Sequence, residues 1–343
     1  TCRLCESICP TGAVDLNQDA VEHCLNASAI ILSLGYELTD PHEYEELGYG
    51  RFPNVITSMQ YERLASRSGP TEGIVMRPSD GELPKRIAWL QCVGSRDSRH
   101  PYCSSICCMY ATKEAILAKQ RVPDVHCQIF QMDERAFSKE FSVYYDEARE
   151  DYHVEYTRCR ISAVREDTET HDLILRYPDE SGKFTESRFD LVVLSVGSLP
   201  PKDADDLASL LNIELNTYGF CATDKFAPLE TSRPGIYVCG TFSSPKEISE
   251  TILDATGAAG DVMRLLSSEL GTQAYGREYP FFSASNHLPP ERDVSGEEPR
   301  VGVYICRCYP SIAGVVDTDV VARYVSALPG VVHVEQLDYA CLS

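Results

Sequence analysis

The sequence predicts an α/β fold. Short apolar runs that end in glycine or a polar residue recur along the chain, as buried parallel strands do, and segments with helical apolar spacing alternate with them. A length of 343 residues, 43% hydrophobic and 24% charged, leaves room for two domains, or one domain with appendages.

The expected strands, in chain order, are 28–36 (SAIILSLGY), 86–94 (RIAWLQCVG), 125–132 (VHCQIFQM), 189–197 (FDLVVLSVG) and 235–241 (GIYVCGT). The expected helices are 107–120 (CCMYATKEAILAKQ), 136–151 (AFSKEFSVYYDEARED) and 247–270. Residues 155–166 and 172–197, with a turn at DESGK (179–183), predict an antiparallel addition before the strand that ends at Gly197. Residues 276–299 are rich in proline, serine and charge without periodicity and read as a linker. Beyond them, 300–343 reads strand, loop, helix, strand, the start of a further α/β module.

A net charge of −21 argues against a nucleic-acid surface, which needs a basic face. No run of 18 apolar residues marks a transmembrane helix, and TCRLCESICP lacks the basic flank and apolar stretch of a signal peptide. The expected location is the cytoplasm. Fifteen cysteines in such a chain point to metal rather than disulfides. They cluster at 2–9, 92–108 and 306–308, with Cys24, Cys127, Cys159, Cys221, Cys239 and Cys341 single. All the singles except Cys341 read as small buried hydrophobes.

CRLCESICP places Cys2, Cys5 and Cys9 in the spacing C-x2-C-x3-C-P. This matches the end of the bacterial ferredoxin run, with Cys2 and Cys5 on one [4Fe–4S] cluster and Cys9 on a second. The first cysteine of that run would fall just before residue 1, so the chain is expected to begin inside a ferredoxin module.

The segment QCVGSRDSRHPYCSSICCMYATKEA (91–115) occupies the place of the first strand–helix junction of a dinucleotide-binding unit. The glycine fingerprint is missing, with only Gly94 retained, and Asp133 lies too far on for the usual ribose acid. This argues against a nicotinamide nucleotide. Adjacent Cys107 and Cys108 have difficulty reaching disulfide geometry with each other. Thiolates at a helix N-terminus are stabilised, so Cys92, Cys103, Cys107 and Cys108 read as a non-standard [4Fe–4S] site, the alternative being buried core thiols.

FDLVVLSVGSLPP and GIYVCGTFSSPKEISETILDATGAAGD resemble the two late signatures of two-domain flavin disulfide reductases. Thr241 follows Gly240 where that family usually has aspartate. Together with NVITSMQYERL, GPTEGIVMRPSDG, QCVGSRD and YCSSICCMYATKEAIL, these segments resemble the flavin-bearing A subunit of heterodisulfide reductases over nearly the whole chain.

The resemblance implies a thioredoxin-reductase-like two-domain flavoprotein fold with an inserted ferredoxin. Its expected divisions are the ferredoxin end at 1–16, an FAD domain at 17–83 and 201–275, and an NAD-domain-like subdomain carrying the non-standard cluster at 84–200. Residues 300–343 resemble the family's N-terminal domain, with Cys306, Cys308 and Cys341 as ligands there. FAD contacts are implied at Gly35, Gly197, Gly240, Thr241, Pro245, Lys246, Ile248 and Ala258. Lys113 is implied beside the flavin N5, where its cation favours the reduced, anionic form. On this resemblance the family's glycine-rich ADP loop is expected to precede residue 1.

The implied function is flavin-based electron bifurcation within a complex. In methanogens, electrons from hydrogen or formate leave along one branch to heterodisulfide and another to ferredoxin. The implied partners are hydrogenase or formate dehydrogenase modules, ferredoxin and a second copy of the chain. Two alternatives are an iron–sulfur wire or scaffold without functional flavin, and the related subunit of an aromatic acyl-CoA reductase or sulfate-reduction complex. A simple NAD-dependent disulfide reductase is disfavoured, because CVGSRD replaces the glycine fingerprint.

Overall fold

The structure, a computed structural model, describes residues 2–135, 138, 140–179, 181–270 (side chains to 266), 296–307 and 312–338. The chain divides into a unit of residues 1–274 and a unit of residues 275–343.

The first unit contains α1 (Leu4–Ile8), β1 (Ile30–Leu32), β2 (Glu37–Leu38), β3 (Val55–Thr57), α2 (Ser58–Ala65), β4 (Arg86–Val93) and α3 (Cys107–Arg121). Next come β5 (His126–Gln131), α4 (Phe141–Glu150), β6 (Glu155–Arg158), β7 (Val164–Glu166), β8 (Leu173–Pro178) and β9 (Phe184–Phe189). It closes with β10 (Leu191–Val196), β11 (Ser198–Leu199), α5 (Ala204–Leu211), β12 (Ile236–Val238) and α6 (Ile248–Leu270). The second unit is β13 (Val301–Cys306), α7 (Thr318–Ser326) and β14 (Val331–Leu337), with β13 and β14 parallel. The α/β class and the strand–helix–strand reading of the last segment therefore hold.

The centre of the first unit is a parallel sheet ordered β3-β10-β4-β5-β6. Its strands are apolar on both faces because both are covered. One face carries Ile87, Trp89, Ile129 and Val193 against Tyr61, Ala111, Ala115 and Ala148 from α2, α3 and α4. The other carries Ala88, Leu90, Phe130, Val192 and Leu194 against Leu173, Leu175 and Phe189 of the antiparallel sheet β7-β8-β9. The result is three layers, helices on parallel strands on antiparallel strands. A parallel ribbon, β1–β12, and an antiparallel pair, β2–β11, lie outside that sheet.

Three expectations change. Residues 155–158, read as part of the antiparallel addition, form β6 and extend the parallel sheet beside β5. Helix α4 starts at Phe141 rather than 136, because Glu140 has φ +69°, a left-handed conformation that cannot continue a right-handed helix. The parallel sheet begins before residue 84: β3 pairs with β10, and α2 packs behind it. A capping box starts α2, with Gln60 N–H donating to Thr57 Oγ1 (3.2 Å) and Thr57 N–H to Gln60 Oε1 (2.8 Å).

Most of the 276–299 stretch lies outside the described residues. Among the described residues, no helix is long and apolar enough to cross a membrane.

Candidate thiol site and glycine loops

Strand β4 does not run evenly into the cysteine loop. Leu194 of β10 pairs with Leu90 and Val196 with Val93, so β4 advances three residues where β10 advances two. The extra residue is a β-bulge, and Cys92, at φ +61°, is its left-handed member. A non-glycine residue in this region costs on the order of 1–3 kcal/mol and is commonly a mark of function. Arg96 (φ +55°) and Ser105 (φ +65°) repeat that conformation within the same loop. Spacing alone could not reveal this.

The bulge turns the buried Cys92 toward the start of α3, where Cys107 and Cys108 are also buried and Cys103 is half-buried. Gln91 Nε2 donates to the Cys107 carbonyl (3.3 Å), tying strand to helix. Ser105 N–H donates to Cys103 Sγ (3.3 Å), and Cys108 Sγ lies 4.0 Å from the Asp133 carbonyl. Burial pushes all three buried thiols up, Cys108 to about 11, and each feels the charge of its neighbours in the set. The four cysteines are thus within electrostatic reach of one another, and as bare thiols the three buried ones stay protonated. Thiolates there need a bound cationic centre to offset burial.

Three observations test the fit of an iron–sulfur group. The donor set is four thiols on one strand end, one loop and one helix start. The first turn of α3 follows Ile106 and has no side-chain cap, leaving its amides available to an anionic group. Gln91 Oε1 and Ser95 Oγ are buried without a hydrogen-bond partner beside the set. Among the described residues no three His, Cys, Asp or Glu side chains close around one ion. A cubane spreads its four ligands over its corners and does not ask them to meet at a point. The donor chemistry fits.

Near the N-terminus Cys2 and Cys5 are exposed and Cys9 half-buried. Thr11 Oγ1 lies 3.5 Å from Cys9 Sγ. Hydrogen bonds from Thr11, and then from the amides of Ala13 and Val14, lower the Cys9 thiol to about 7. Cys306 ends β13 opposite Leu337, whereas Cys308 and Cys341 lie outside the described residues. Of the five expected core cysteines, Cys127, Cys221 and Cys239 are buried and Cys159 half-buried. Cys24 is exposed, a correction whose cause is its place in an irregular segment with almost no buried side chains.

The glycines divide by environment. Gly35 (φ +80°) follows β1 and Gly240 (φ +69°) follows β12, so both stand at the carboxyl ends of paired parallel strands. A ligand is expected at such an edge. A Cβ built on Gly35 meets nothing within 4 Å, as at Gly12, Gly81 and Gly182, so no crowding requires glycine there. Gly197 differs: a Cβ there would meet Gly94 O at 2.7 Å and Ser104 Oγ at 3.0 Å. Gly94, read as a fingerprint remnant, is required by packing, since its Cβ would fall 2.2 Å from Thr39 Cγ2.

Thr241 and Pro245 are half-buried on the loop leading to α6. Lys246 Nζ donates to Ser243 Oγ (2.8 Å) and pairs with Asp254, which also accepts from Gly240 N–H (3.1 Å). Ile248 is exposed, while Ala258 is fully buried against Tyr237 and Cys239 and seats α6 on β12. The Glu247 carboxylate accepts from Ser249 N–H (3.0 Å) and Glu250 N–H (3.3 Å), so the first turn of α6 already holds an anion. Lys113, on α3, pairs with Glu62 of α2 at 2.6 Å.

The fold and the thiol-lined junction define an α/β protein of the layered, parallel-sheet kind in which cysteines stand where a nucleotide-binding chain carries glycines. The chain is a relative of the A-subunit family of CoB–CoM heterodisulfide reductases and matches a segment of it. It is 42% identical over 265 residues to the A subunit of the H(2):CoB-CoM heterodisulfide,ferredoxin reductase of Methanothermobacter marburgensis, covering 75% of this chain and 40% of the relative. It is 42% identical over 266 residues to the iron-sulfur A subunit of the CoB–CoM heterodisulfide reductase of Methanocaldococcus jannaschii, covering 76% and 40%. It is 37% identical over 271 residues to the A subunit of the Ferredoxin/F(420)H(2)-dependent CoB-CoM heterodisulfide reductase of Methanosarcina acetivorans, covering 78% and 34%. The chain thus spans well under half the length of these relatives. No family model matches it. Among solved structures, the thioredoxin reductase of T. acidophilum aligns with a TM-score of 0.44 at 15% identity, covering 71% of this chain and 66% of that one.

Proposed function

We propose that the chain is the flavin- and iron–sulfur-bearing electron-transfer part of a heterodisulfide-reductase-type complex, acting as a bifurcating oxidoreductase component in the cytoplasm. The observation that carries this reading is the thiol set Cys92, Cys103, Cys107 and Cys108 at a bulged strand end facing an uncapped helix start. On this reading those cysteines hold one [4Fe–4S] group, and Cys2, Cys5 and Cys9 serve ferredoxin-type groups. FAD lies at the edge marked by Gly35 and Gly240, with Lys113 near its reactive ring. When bound, FAD supplies the conversion between two-electron and one-electron chemistry, and the clusters supply one-electron transfer.

The chain's own contributions are positional. The bulge directs Cys92 out of the strand, the Gln91 amide fixes the start of α3, and burial keeps water from the thiols. Lys113 holds a positive charge on the helix that begins at the cysteines. The partners on this reading are hydrogenase or formate dehydrogenase modules, ferredoxin and a second copy of the chain. Ferredoxin and hydrogen occur in the relatives' names.

The wire without flavin is favoured by one observation, the Glu247 carboxylate already capping α6. Anaerobically purified full-length protein separates the two, since flavin absorption bands beside broad cluster absorption belong only to the first. Replacing Cys107 by Ser should lower iron by about four atoms per chain. Unchanged iron and an unchanged paramagnetic signal would overturn the cluster assignment.

A further inference from the structure

Arg96 stands in the loop between Cys92 and Cys103, and nothing in the proposed ligand sets uses it. Its left-handed backbone donates from N–H to the Tyr102 carbonyl (2.9 Å), closing the loop that brings Cys103 back toward the helix. Its guanidinium grips Asp133 with two prongs, Nη2 donating to Oδ2 at 2.9 Å and Nη1 to Oδ1. Asp133 follows β5, and its carbonyl is the one that faces Cys108 Sγ. Arg160 adds a second clasp, Nη1 donating to the Arg96 carbonyl at 3.4 Å. The Arg96 side chain is only 20% exposed.

The charges around the thiols follow from this clasp. The Arg96 cation acts on Cys92 and Cys103, and Arg160 acts on Cys92. The Asp133 carboxylate, in contact with that guanidinium, acts on Cys108. A fixed ion pair therefore lies beside the set, its cation acting on Cys92 and Cys103 and its anion on Cys108. Guanidinium stays charged throughout the working pH range and fits a carboxylate in two-pronged fashion, so both its position and its charge are constant.

We propose that Arg96, held by Asp133, is a positioning residue that raises the reduction potential of the iron–sulfur group carried by Cys92, Cys103, Cys107 and Cys108. This rests on the reading above that those cysteines hold such a group. One electron arrives from a reduced flavin or a low-potential ferredoxin-class donor, the group becomes more negative by one charge, and no bond or proton changes. Arg96 stabilises that added charge and opposes its loss. Charge and hydrogen bonding near the sulfurs are established levers on such potentials.

The test is a dithionite titration of the full-length protein followed by electron paramagnetic resonance, with iron measured on the same samples. In Arg96→Gln the ratio of reduced to oxidised group at a given potential should fall by on the order of tenfold, about 59 mV for one electron, with iron unchanged. Arg96→Lys, which keeps the charge but not the fork, should restore at least half of the shift. A wild-type potential in Arg96→Gln with full iron overturns the inference. So does equal loss of iron in both variants, because the residue would then only hold the loop. If Cys107→Ser leaves the iron of the wild type unchanged, the cluster reading itself fails, an outcome distinct from either of these.

Discussion

The indole of Trp89 donates from Nε1 to Glu114 Oε2 across 2.7 Å, and neither side chain has any solvent exposure. Burial holds the Glu114 carboxyl well above the ordinary carboxylate range; the Trp89 hydrogen bond works against that rise and neighbouring Glu62 adds to it. A raised carboxyl contributes stability that is complete below its unfolded pKa and is lost as pH rises through its folded one. Wild-type stability should therefore decline as pH climbs above the usual carboxylate range, and Glu114→Gln should flatten the decline while keeping an acceptor for the indole. Glu114→Ala should cost about 3 kcal/mol, from the cavity and the unpaired indole donor. Thermal melts across pH check both, and parallel wild-type and Gln profiles would count against the assignment.

Gly94→Ala should destabilise the protein by about 3 kcal/mol, because φ is +74° and the new methyl would lie 2.2 Å from Thr39 Cγ2. Adding Thr39→Gly, which removes the Cγ2 together with the Cβ and Oγ1 that would each lie 2.6 Å from the new methyl, should recover part of the loss. Urea unfolding of the two single variants and the double variant measures the coupling. A double variant no better than Gly94→Ala alone would mean the contact is not the cause.

Cys92→Gly should be more stable than Cys92→Ala by about 1 kcal/mol, the reverse of the usual order within a strand. The bulge requires φ +61°, which glycine adopts freely and alanine does not. The comparison is made on iron-free protein, so that both variants lack the same ligand and differ only in backbone freedom.

Lys113→Met should lower the flavin potential by roughly 30 mV, a tenfold change for a two-electron couple, and leave iron content alone. Stability should hardly move, because the Lys113–Glu62 pair is 46% and 35% exposed and such pairs contribute little. A flavin titration that overlays the wild type removes Lys113 from the flavin's surroundings.

Parts of this molecule are legible as sequence for a simple reason. Strands covered on both faces are continuous apolar runs, so β4, β5 and β10 stand out, and cysteine spacing marks the thiol loop. Strand β6 reads differently from its place in the fold because Glu155–Arg158 lies at the sheet edge with no buried residue, and its polarity resembles a solvent-facing hairpin. The short β3 escapes an apolar-run criterion, although the Thr57–Gln60 capping box after it is a readable signal. The left-handed backbone at Cys92 and the 37-residue separation of Arg96 from Asp133 leave no local pattern to read. Gly94 is visible in the sequence but not for its true reason, since crowding by Thr39 is a tertiary fact.

The bulge in β4 also governs how this gene segment can vary in length. Before it, Ile87 and Trp89 face the helices while Ala88 and Leu90 face the antiparallel layer; after it, Val93 joins Leu90's side. The strand is thus two stretches of opposite parity spliced at a thiol. Deleting or inserting one codon between 86 and 93 would turn one stretch over, exchanging the side chains fitted to the helices with those fitted to the antiparallel layer, or would move Cys92 away from its companions. The loop from Ser95 to Ile106 has no such parity to keep. Length there is set instead by the Arg96–Tyr102 closure that returns Cys103 to the helix, so the strand should keep its count by parity and the loop by that closure, even where residues are replaced.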